Sequence, residues 1–132
     1  MLIDVDGLKS VNDTLGHQAG DDVLRHVARS IRTQLRATDI AARIGGDEFA
    51  VILPKTGTHE AQVVAQRFVA SLHDTSVDGT LRTSVSAGVA SIEGLLSPAD
   101  VMKRADIALY RAKRAGGDRY AMSEPVPQPQ SA

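Results

Sequence analysis

Two pairs of acidic residues stand at points where the chain is expected to turn. Asp4 and Asp6 end an apolar opening segment, and Asp47 and Glu48 follow two adjacent glycines. Carboxylate oxygens suit Mg²⁺, which takes one or two of them and completes its shell with water and substrate phosphate. If the two segments are neighbouring strands, the carboxylates converge at one edge of a sheet and favour a metal-dependent site. Either pair alone is more typical of solvated turn residues.

A polar connection punctuated by glycines follows the first acidic pair. It contains Lys9, Asn12, Asp13 and Asp21. An Asn amide donates and accepts, and an Asp carboxylate accepts two hydrogen bonds, so the two side chains match the edge of guanine. The positive charge of a nearby lysine would pair with a phosphate. The alternative is that these residues cap turns and the next helix, as Asn and Asp commonly do, and spacing alone does not decide between the two interpretations.

Other nucleophile or metal patterns are weak. The four histidines are dispersed without paired metal-ligand spacing, and His17 is the one that falls in the polar connection. Ser84 and Ser86 have no nearby His and Asp arrangement that would activate a hydroxyl.

The apolar pattern predicts the element order βαββαβαβ. Strands are predicted at 1–6, 40–44, 49–54, 81–90 and 119–122, and helices at about 22–36, 58–72 and 98–115. We expect helix caps at 20–21, at Thr58 and at Ser97, where Pro98 and Asp100 complete a starting signal. Gly88 marks a close approach or a bulge. The fold class is therefore α+β, with a mixed, largely antiparallel sheet flanked by helices.

Composition limits the function classes. The chain has 132 residues, a mass of 14.0 kDa, 15 Lys and Arg against 16 Asp and Glu, four aromatic residues and no cysteine. That length suits one domain, and the near-neutral charge argues against a nucleic-acid surface. The absence of cysteine is compatible with a reducing cytoplasm, and we expect neither a signal peptide nor a membrane contact. Residues 123–132 are predicted to form a proline-rich disordered tail or linker.

Several of these motifs, in the same order, resemble the GGDEF domain of diguanylate cyclases. The matching segments are 4–13, 15–21, 43–49, which contains Gly45-Gly46-Asp47-Glu48-Phe49, and 105–113. The resemblance runs from Asp4 to about Tyr120. It implies a nucleotide-cyclase or palm-like fold with a ferredoxin-like βαββαβ core in residues 1–122, without the family's N-terminal helices.

The resemblance also implies a reaction. Two GTP molecules, one on each of two facing copies, would condense to cyclic di-GMP with release of two pyrophosphates, so a homodimer is expected. Asp4, the Val5 carbonyl and Asp47 would hold Mg²⁺, with Mn²⁺ as an alternative. Glu48 would serve as a metal ligand or as the base that takes the 3′-hydroxyl proton. Such phosphoryl transfer needs positioning and charge neutralisation more than covalent help.

The resemblance to the GGDEF family also implies which residues bind the substrate. The resemblance implies that Asn12 and Asp21 read guanine, that Lys9 and Lys113 face the phosphates, that His17 lies in the substrate loop and that Gly45 and Gly46 admit the substrate. Lys9 also belongs to the implied catalytic set, with Asp47 and Glu48.

The segment Arg36-Ala37-Thr38-Asp39 matches the family's RxxD product-inhibition site. Arg can form paired hydrogen bonds with a guanine edge or a phosphate, and Asp can accept from guanine. The alternative is a purely structural role: an arginine at a helix end, favoured by the helix dipole, and an Asp that begins a strand. The surrounding resemblance favours the inhibitory site.

One position departs from the family pattern. Gly117 stands where the family has a phosphate-contacting arginine, so Arg114 or Arg119 would have to substitute, or triphosphate binding is weaker. A different class therefore stays open, a non-catalytic receptor for cyclic di-GMP or GTP. A polymerase-like palm is disfavoured because no basic template groove is evident. We expect a cytoplasmic domain with an attached sensory domain, or one tethered to a membrane through regions outside this chain.

Overall fold

The structure, a computed structural model, describes residues 1–92, 94 and 97–126. The strands are β1 Leu2–Val5, β2 Ile40–Arg43, β3 Glu48–Ile52, β4 Ser76–Val77, β5 Leu81–Arg82, β6 Val85–Val89 and β7 Arg119–Met122, and the helices are α1 Leu8–Leu15, α2 His17–Gln34, α3 Thr58–His73 and α4 Pro98–Arg114. Most of the predicted tail, residues 127–132, lies outside the described residues. Among the helices that are described, none combines the length and the apolar character needed to cross a membrane.

The main sheet has five strands in the order β2-β3-β1-β6-β7. All neighbours are antiparallel except β6 and β7, which run parallel. The segment β1-α2-β2-β3-α3-β6, with its sheet order β2-β3-β1-β6, is the predicted ferredoxin-like βαββαβ core. The predicted α+β class and the mixed, mostly antiparallel sheet are confirmed.

Helices cover both faces of this sheet. On one face Ile3 joins a core with Val27 of α2 and Phe68 of α3, and on the other Leu2 packs with Ala105 and Leu109 of α4. Successive residues of a strand point to opposite faces, so Asp4 shares the α4 face with Leu2. The strand alternation therefore directs one acidic side chain toward α4.

The polar connection after β1 is mostly helical, which the sequence did not predict. Residues 8–15 form α1, and α2 begins at His17 rather than near residue 22. Gly7 and Gly16 separate β1, α1 and α2, with φ angles of 66° and 87°. Such left-handed backbone favours glycine. The short helix was missed because its three apolar residues, Leu8, Val11 and Leu15, lie in a stretch of 8 residues, which is too short to establish a period.

Two predicted caps and one predicted strand were wrong in detail. The N-cap residues of α2 and α3 are Gly16 and Gly57, without side-chain cap hydrogen bonds, rather than residues 20–21 and Thr58. The predicted strand 81–90 is divided: β5 pairs with β4 in a separate two-stranded sheet, and β6 lies inside the main sheet. The β-branched residues there gave one continuous strand signal, which could not show the change of sheet.

The last helix is as predicted. The Ser97 hydroxyl accepts a hydrogen bond from the Asp100 amide, and the Asp100 carboxylate accepts one from the Ser97 amide, with Pro98 in the first turn. Gly88 lies directly under this helix: a Cβ there would come within 2.1 Å of the Ala105 carbonyl oxygen. Glycine at this position therefore allows α4 to pack against the backbone of β6, which confirms the predicted close approach.

Candidate functional site

Asp4, of the first acidic pair, and both residues of the second pair meet at one edge of the sheet. Asp4 stands opposite Glu48 in the antiparallel register of β1 and β3. The Val5 amide donates to the Asp47 carbonyl oxygen at 2.9 Å, which holds the hairpin tip beside the end of β1. The expected convergence of strand end and hairpin is therefore present for Asp4, Val5, Asp47 and Glu48.

The glycine turn of this hairpin is fixed by an arginine that sequence reasoning did not single out. The Arg43 guanidinium donates to the carbonyl oxygens of Gly45 at 3.1 Å and Gly46 at 2.7 Å. The amides of Ile44 and Gly45 donate to the Glu48 carbonyl oxygen at 3.0 and 3.3 Å. An arginine two residues before a glycine pair was the available sequence signal. Arg43 fixes the loop that carries Asp47.

Asp4 of β1 and Lys113 of α4 form an ion pair on the face of the sheet that α4 covers. The Lys113 ammonium donates to Asp4 Oδ2 at 2.7 Å, and Asp4 is buried. Burial raises the pKa of Asp4, the hydrogen bond and charge of Lys113 oppose that shift, and the negative charges of neighbouring carboxylates add to it. The pKa of Lys113 is also raised: partial burial lowers it, but the hydrogen bond to Asp4 and the nearby carboxylates outweigh burial. The edge therefore has excess negative charge that a cation would relieve.

The donor set at this edge fits Mg²⁺ held partly by substrate. Among the residues that the structure describes, no three His, Cys, Asp or Glu side chains lie close enough to hold a metal by themselves. Asp4 and Asp47 are close enough for their charges to interact, and the Val5 backbone lies between them in the hydrogen-bond ladder. Mg²⁺ is usually bound by one or two carboxylates plus water and phosphate rather than by an all-protein cage.

The hydrogen bonds of Asp6 are directed away from this carboxylate pair, although its charge also acts to raise the pKa of Asp4. Its Oδ2 accepts hydrogen bonds from the Ser84 hydroxyl at 2.8 Å and the Asp118 amide at 2.9 Å, and its Oδ1 accepts from the Ser86 hydroxyl at 2.7 Å. The two serines therefore serve as hydrogen-bond donors to a carboxylate. Asp4 lies with Asp47 and Glu48 at the end of the hairpin, and we call these three residues the acidic edge. Asp6 instead connects β1 to β6 and to the loop after α4.

The side chain of Asn12 packs against Gly20, the residue before Asp21. A Cβ at Gly20 would come within 1.7 Å of Asn12 Oδ1, so the side chain of Asn12 lies against the bare backbone of α2. The same oxygen is buried and has no hydrogen-bond partner among the described residues. Buried polar atoms are normally paired. This arrangement supports a ligand that donates to Asn12 next to Asp21.

A cavity of about 530 Å³ lies between α2 and the β2–β3 hairpin. Asp21 and Arg43 contribute polar groups to its wall, and Leu24, Ala28 and Phe49 contribute apolar surface. Of the residues predicted from the sequence to bind substrate, Asp21 is the one that lines it. Lys9 and His17 lie at the first turns of α1 and α2, where both are exposed.

The predicted product-inhibition pair is organised as a turn. Asp39 Oδ2 accepts from the Arg36 amide at 2.7 Å, and the Asp39 amide donates to the Arg36 carbonyl oxygen at 3.1 Å. Asp39 Oδ1 is buried without a partner among the described residues, and Arg36 is exposed. These contacts form a turn between the end of α2 at Gln34 and the start of β2 at Ile40, so Arg36 lies beyond the helix and Asp39 before the strand.

Arg114 and Arg119, the two arginines that could replace the phosphate-contacting arginine expected at position 117, contact neighbouring residues of the chain. Gly117 has a φ of 71°, a left-handed conformation that disfavours an arginine. Arg119 donates to the Gly117 carbonyl oxygen at 2.9 Å, and the Arg114 guanidinium lies 6.0 Å from the centre of the Tyr110 ring. Lys113 is therefore the cation that α4 brings directly to the acidic edge.

Fold and site together define a class: α+β domains whose βαββαβ core brings carboxylates from its first strand and from a hairpin tip to one edge of the sheet. A sequence model of the family described as "Diguanylate cyclase, GGDEF domain" matches residues 1–119. The chain belongs to the GGDEF domain family.

Curated and solved relatives agree with this assignment. The chain is 41% identical over 128 residues to Diguanylate cyclase A of Treponema denticola, covering 94% of this chain and 34% of that protein. The crystal structure of the GGDEF domain of YfiN from Pseudomonas aeruginosa matches with 40% identity and a TM-score of 0.86, covering 95% of this chain and 81% of that one. The GGDEF domain of DgcB from Caulobacter crescentus, solved in complex with c-di-GMP, matches with 35% identity and a TM-score of 0.87, covering 94% and 76%.

Proposed function

We propose that this domain is a Mg²⁺-dependent diguanylate cyclase that condenses two GTP molecules into cyclic di-GMP. The observation that carries the proposal is the acidic edge, where Asp4 stands opposite Glu48 and the Asp47 backbone is bonded to Val5. The relative from Treponema denticola is named a diguanylate cyclase. This chain spans about a third of the length of that protein, 34%.

The metal would be held by Asp4, the Val5 carbonyl and Asp47, with Mn²⁺ as an alternative to Mg²⁺. A divalent ion held there would supply charge neutralisation for the triphosphate and would make the attacking hydroxyl easier to deprotonate. Lys113 already lies at this edge, 2.7 Å from Asp4, and would contribute positive charge toward the phosphates. We assign Lys9 the same task from the side of α1.

Glu48 is proposed as the residue that takes the proton of the attacking 3′-hydroxyl, or as an additional metal ligand. A Cβ at Gly45 would come within 2.9 Å of Glu48 Oε2, so the carboxylate lies over the glycine turn. A Cβ at Gly46 would meet no atom within 4 Å, so Gly46 leaves open space where a substrate could approach the backbone. The base and the charge-neutralising groups would then be on one side of the hairpin.

Guanine is proposed to bind Asn12 and Asp21. The Asn12 oxygen, which has no hydrogen-bond partner among the described residues, would accept from a base nitrogen, and Asp21 lines the neighbouring cavity. An acceptor pair of this kind selects guanine over adenine, because guanine presents N1 and N2 donors on one edge. His17, at the start of α2, would lie along the path of the substrate.

Two copies are needed because each holds one GTP and the reaction joins them. We propose a homodimer with the two acidic edges facing, in the cytoplasm. The proposal extends to control by a sensory domain elsewhere in the whole protein, and to product binding at Arg36 and Asp39, which would hold copies in an unproductive arrangement.

The test incubates the purified chain with GTP and Mg²⁺ and follows cyclic di-GMP by chromatography over a series of protein concentrations. We expect an initial rate that rises with about the second power of concentration in the dilute range, because two copies must meet. Asp47→Asn and Glu48→Gln should each lower the rate by at least about 100-fold, the scale of a lost acid-base or charge-stabilising group.

Asp106→Asn, an exposed change on α4, is the matched control and should leave the rate unchanged. Removal of the divalent ion with a chelator should abolish product formation. Absence of product at every concentration, with retained binding of labelled cyclic di-GMP, would replace the enzyme proposal with a receptor function.

A further inference from the structure

The Asp6 carboxylate accepts three hydrogen bonds from other residues of the chain, whereas a carboxylate in a solvated turn is hydrogen-bonded mainly to water. Its two carboxylate oxygens accept from the hydroxyls of Ser84 and Ser86 and from the Asp118 amide, all between 2.7 and 2.9 Å. Its own amide donates to the Ser84 carbonyl oxygen at 3.0 Å. The donors come from β6, from the residue before it and from the loop after α4. One side chain therefore joins three segments that are far apart in the sequence.

The loop that Asp6 holds is the end of α4. The Gly116 amide donates to the Lys113 carbonyl oxygen and the Gly117 amide to the Ala112 carbonyl oxygen, each at 3.1 Å. This is the paired termination of a Schellman motif. Residues 116, 117 and 118 have φ angles of 117°, 71° and 50°. The chain thus reverses within one left-handed segment directly after the turn that carries Lys113.

The contact between Asp6 and this loop is close. A Cβ at Gly117 would come within 3.2 Å of Asp6 Oδ2. Asp118 is held at both ends, because its amide donates to Asp6 and its carboxylate pairs with His73 at 2.8 Å. Asp118 is a non-glycine residue at positive φ, which other contacts must stabilise. Asp6 supplies one of those contacts.

Lys113 and Asp4 stand on the two segments that Asp6 connects. Asp4 lies two residues before Asp6, and Lys113 lies three residues before Gly116. Their ion pair spans 109 residues of sequence, so it depends on how α4 is placed against β1. The side chain of Asp6 accepts a hydrogen bond from the loop that follows α4, at the Asp118 amide.

We propose that Asp6 is a positioning residue of the nucleotide site. By holding the end of α4 against the end of β1, it sets Lys113 relative to Asp4 and to the triphosphate of a bound substrate. This inference rests on the proposed function, in which Lys113 contributes positive charge toward the phosphates of GTP.

The test compares Asp6→Ala with Asp6→Asn. The asparagine amide oxygen can accept from Ser84 and Asp118 while its NH₂ group donates to the Ser86 hydroxyl, so this variant keeps the connection and loses the charge. The alanine variant loses both. Asp13→Ala, an exposed change on α1, controls for general effects of removing a carboxylate.

Two readouts separate positioning from folding. The first is the dissociation constant for a non-hydrolysable GTP analogue with Mg²⁺, together with KM and kcat for GTP. We expect Asp6→Ala to raise the dissociation constant and KM about tenfold with little change in kcat, as for a loss of uniform binding. Asp6→Asn should stay within about twofold of the parent chain. The second is amide hydrogen exchange at Gly117 and Asp118, which should accelerate in Asp6→Ala and stay near the parent value in Asp6→Asn.

Each outcome decides one of the two proposals. A parent chain that binds the analogue but makes no product contradicts the proposed function and leaves the Asp6 comparison intact. Equal analogue affinity in Asp6→Ala and the parent overturns the Asp6 inference, even if Asp6→Ala melts at a lower temperature. A tenfold loss in Asp6→Asn equal to that in Asp6→Ala also overturns it, because charge rather than positioning would then be the cause.

Discussion

Two aspartates that are two residues apart, Asp4 and Asp6, have different hydrogen-bond partners. Asp4 points toward α4, where it is buried beside the Lys113 ammonium and close to the charge of Asp47. Asp6 meets two hydroxyls and an amide, which are neutral donors. A carboxylate among other carboxylates favours a cation, whereas one surrounded by neutral donors is satisfied without it. At the residue scale, the partners rather than the residue type assign the chemistry.

His26 gives a prediction about pH. Its Nε2 lies 3.0 Å from the Thr75 hydroxyl, and burial, with the positive charge of Arg29, lowers its pKa below the usual 6.5. A lowered histidine pKa means that the unfolded chain binds more protons, so the stability contributed at neutral pH is lost as pH falls from 6.5 through the folded-state pKa. We expect His26→Gln to flatten that part of the stability profile.

The measurement is urea unfolding of the parent and His26→Gln between pH 7.5 and 5. His59→Gln, at an exposed position in the first turn of α3, is the matched control. An identical slope of stability against pH in the parent and in His26→Gln would contradict the prediction.

At the element scale, the site depends on how closely α4 approaches the sheet. Gly88 in β6 lets the backbone of the helix, at Ala105 and Leu109, lie against the backbone of the strand. The capping box at Ser97 and the Schellman motif after Lys113 then define where the helix begins and ends. Because Lys113 is in the last turn, any outward shift of α4 moves its ammonium away from Asp4.

Gly88→Ala should therefore be strongly destabilising. The added Cβ would lie 2.1 Å from the Ala105 carbonyl oxygen and 2.3 Å from the Leu109 amide nitrogen, and backbone cannot rotate aside as a side chain can. Overpacking of this kind costs about 1 to 3 kcal/mol, occasionally more, and we expect the upper end. Thermal and urea unfolding measure the loss.

Gly57→Ala is the control for a glycine without such a contact. A Cβ at Gly57 meets no atom within 4 Å, and its φ is −72°. We expect a loss below about 1 kcal/mol, the scale of an unfavourable N-cap residue. Equal stability losses in the two variants would show that the close approach of α4 does not matter.

At the scale of the whole molecule, the candidate product site and the acidic edge lie at opposite ends of one strand. Arg36 and Asp39 precede β2, and the glycine hairpin follows it. Four strand residues span about 13 Å, so a ligand at Arg36 would not occupy the acidic edge directly. Product bound there would act on how two copies approach each other, which is a property of the assembly.

Arg36→Ala should weaken binding of cyclic di-GMP at least about tenfold. Removing a charged hydrogen-bond donor costs about 1.5 to 3 kcal/mol, which corresponds to this range. Isothermal titration with the dinucleotide provides the measurement, and Arg29→Ala, an exposed change on α2, serves as control. Unchanged affinity in Arg36→Ala would leave Arg36 and Asp39 as a structural turn.

Patterns that are local in the sequence predicted most of the elements. The helix period gave α2, α3 and α4, and the alternation around two glycines gave the β2–β3 hairpin. The brief α1 and the division at residues 81–90 were missed. In both places the local signal was too short or too uniform to show where backbone pairing changes.

The sequence by itself determined the chemical groups: four carboxylates in two short segments, a polar connection with Asn12, and the motifs of the GGDEF family. Only the tertiary structure decided which groups meet. It paired Asp4 with Lys113, 109 residues away, placed Arg43 on the glycine turn and directed Asp6 to Ser84, Ser86 and Asp118. The physical reason is that residue type and spacing fix the local period and the available donors and acceptors. Contacts between distant segments depend on strand register and on the distance between a helix and the sheet.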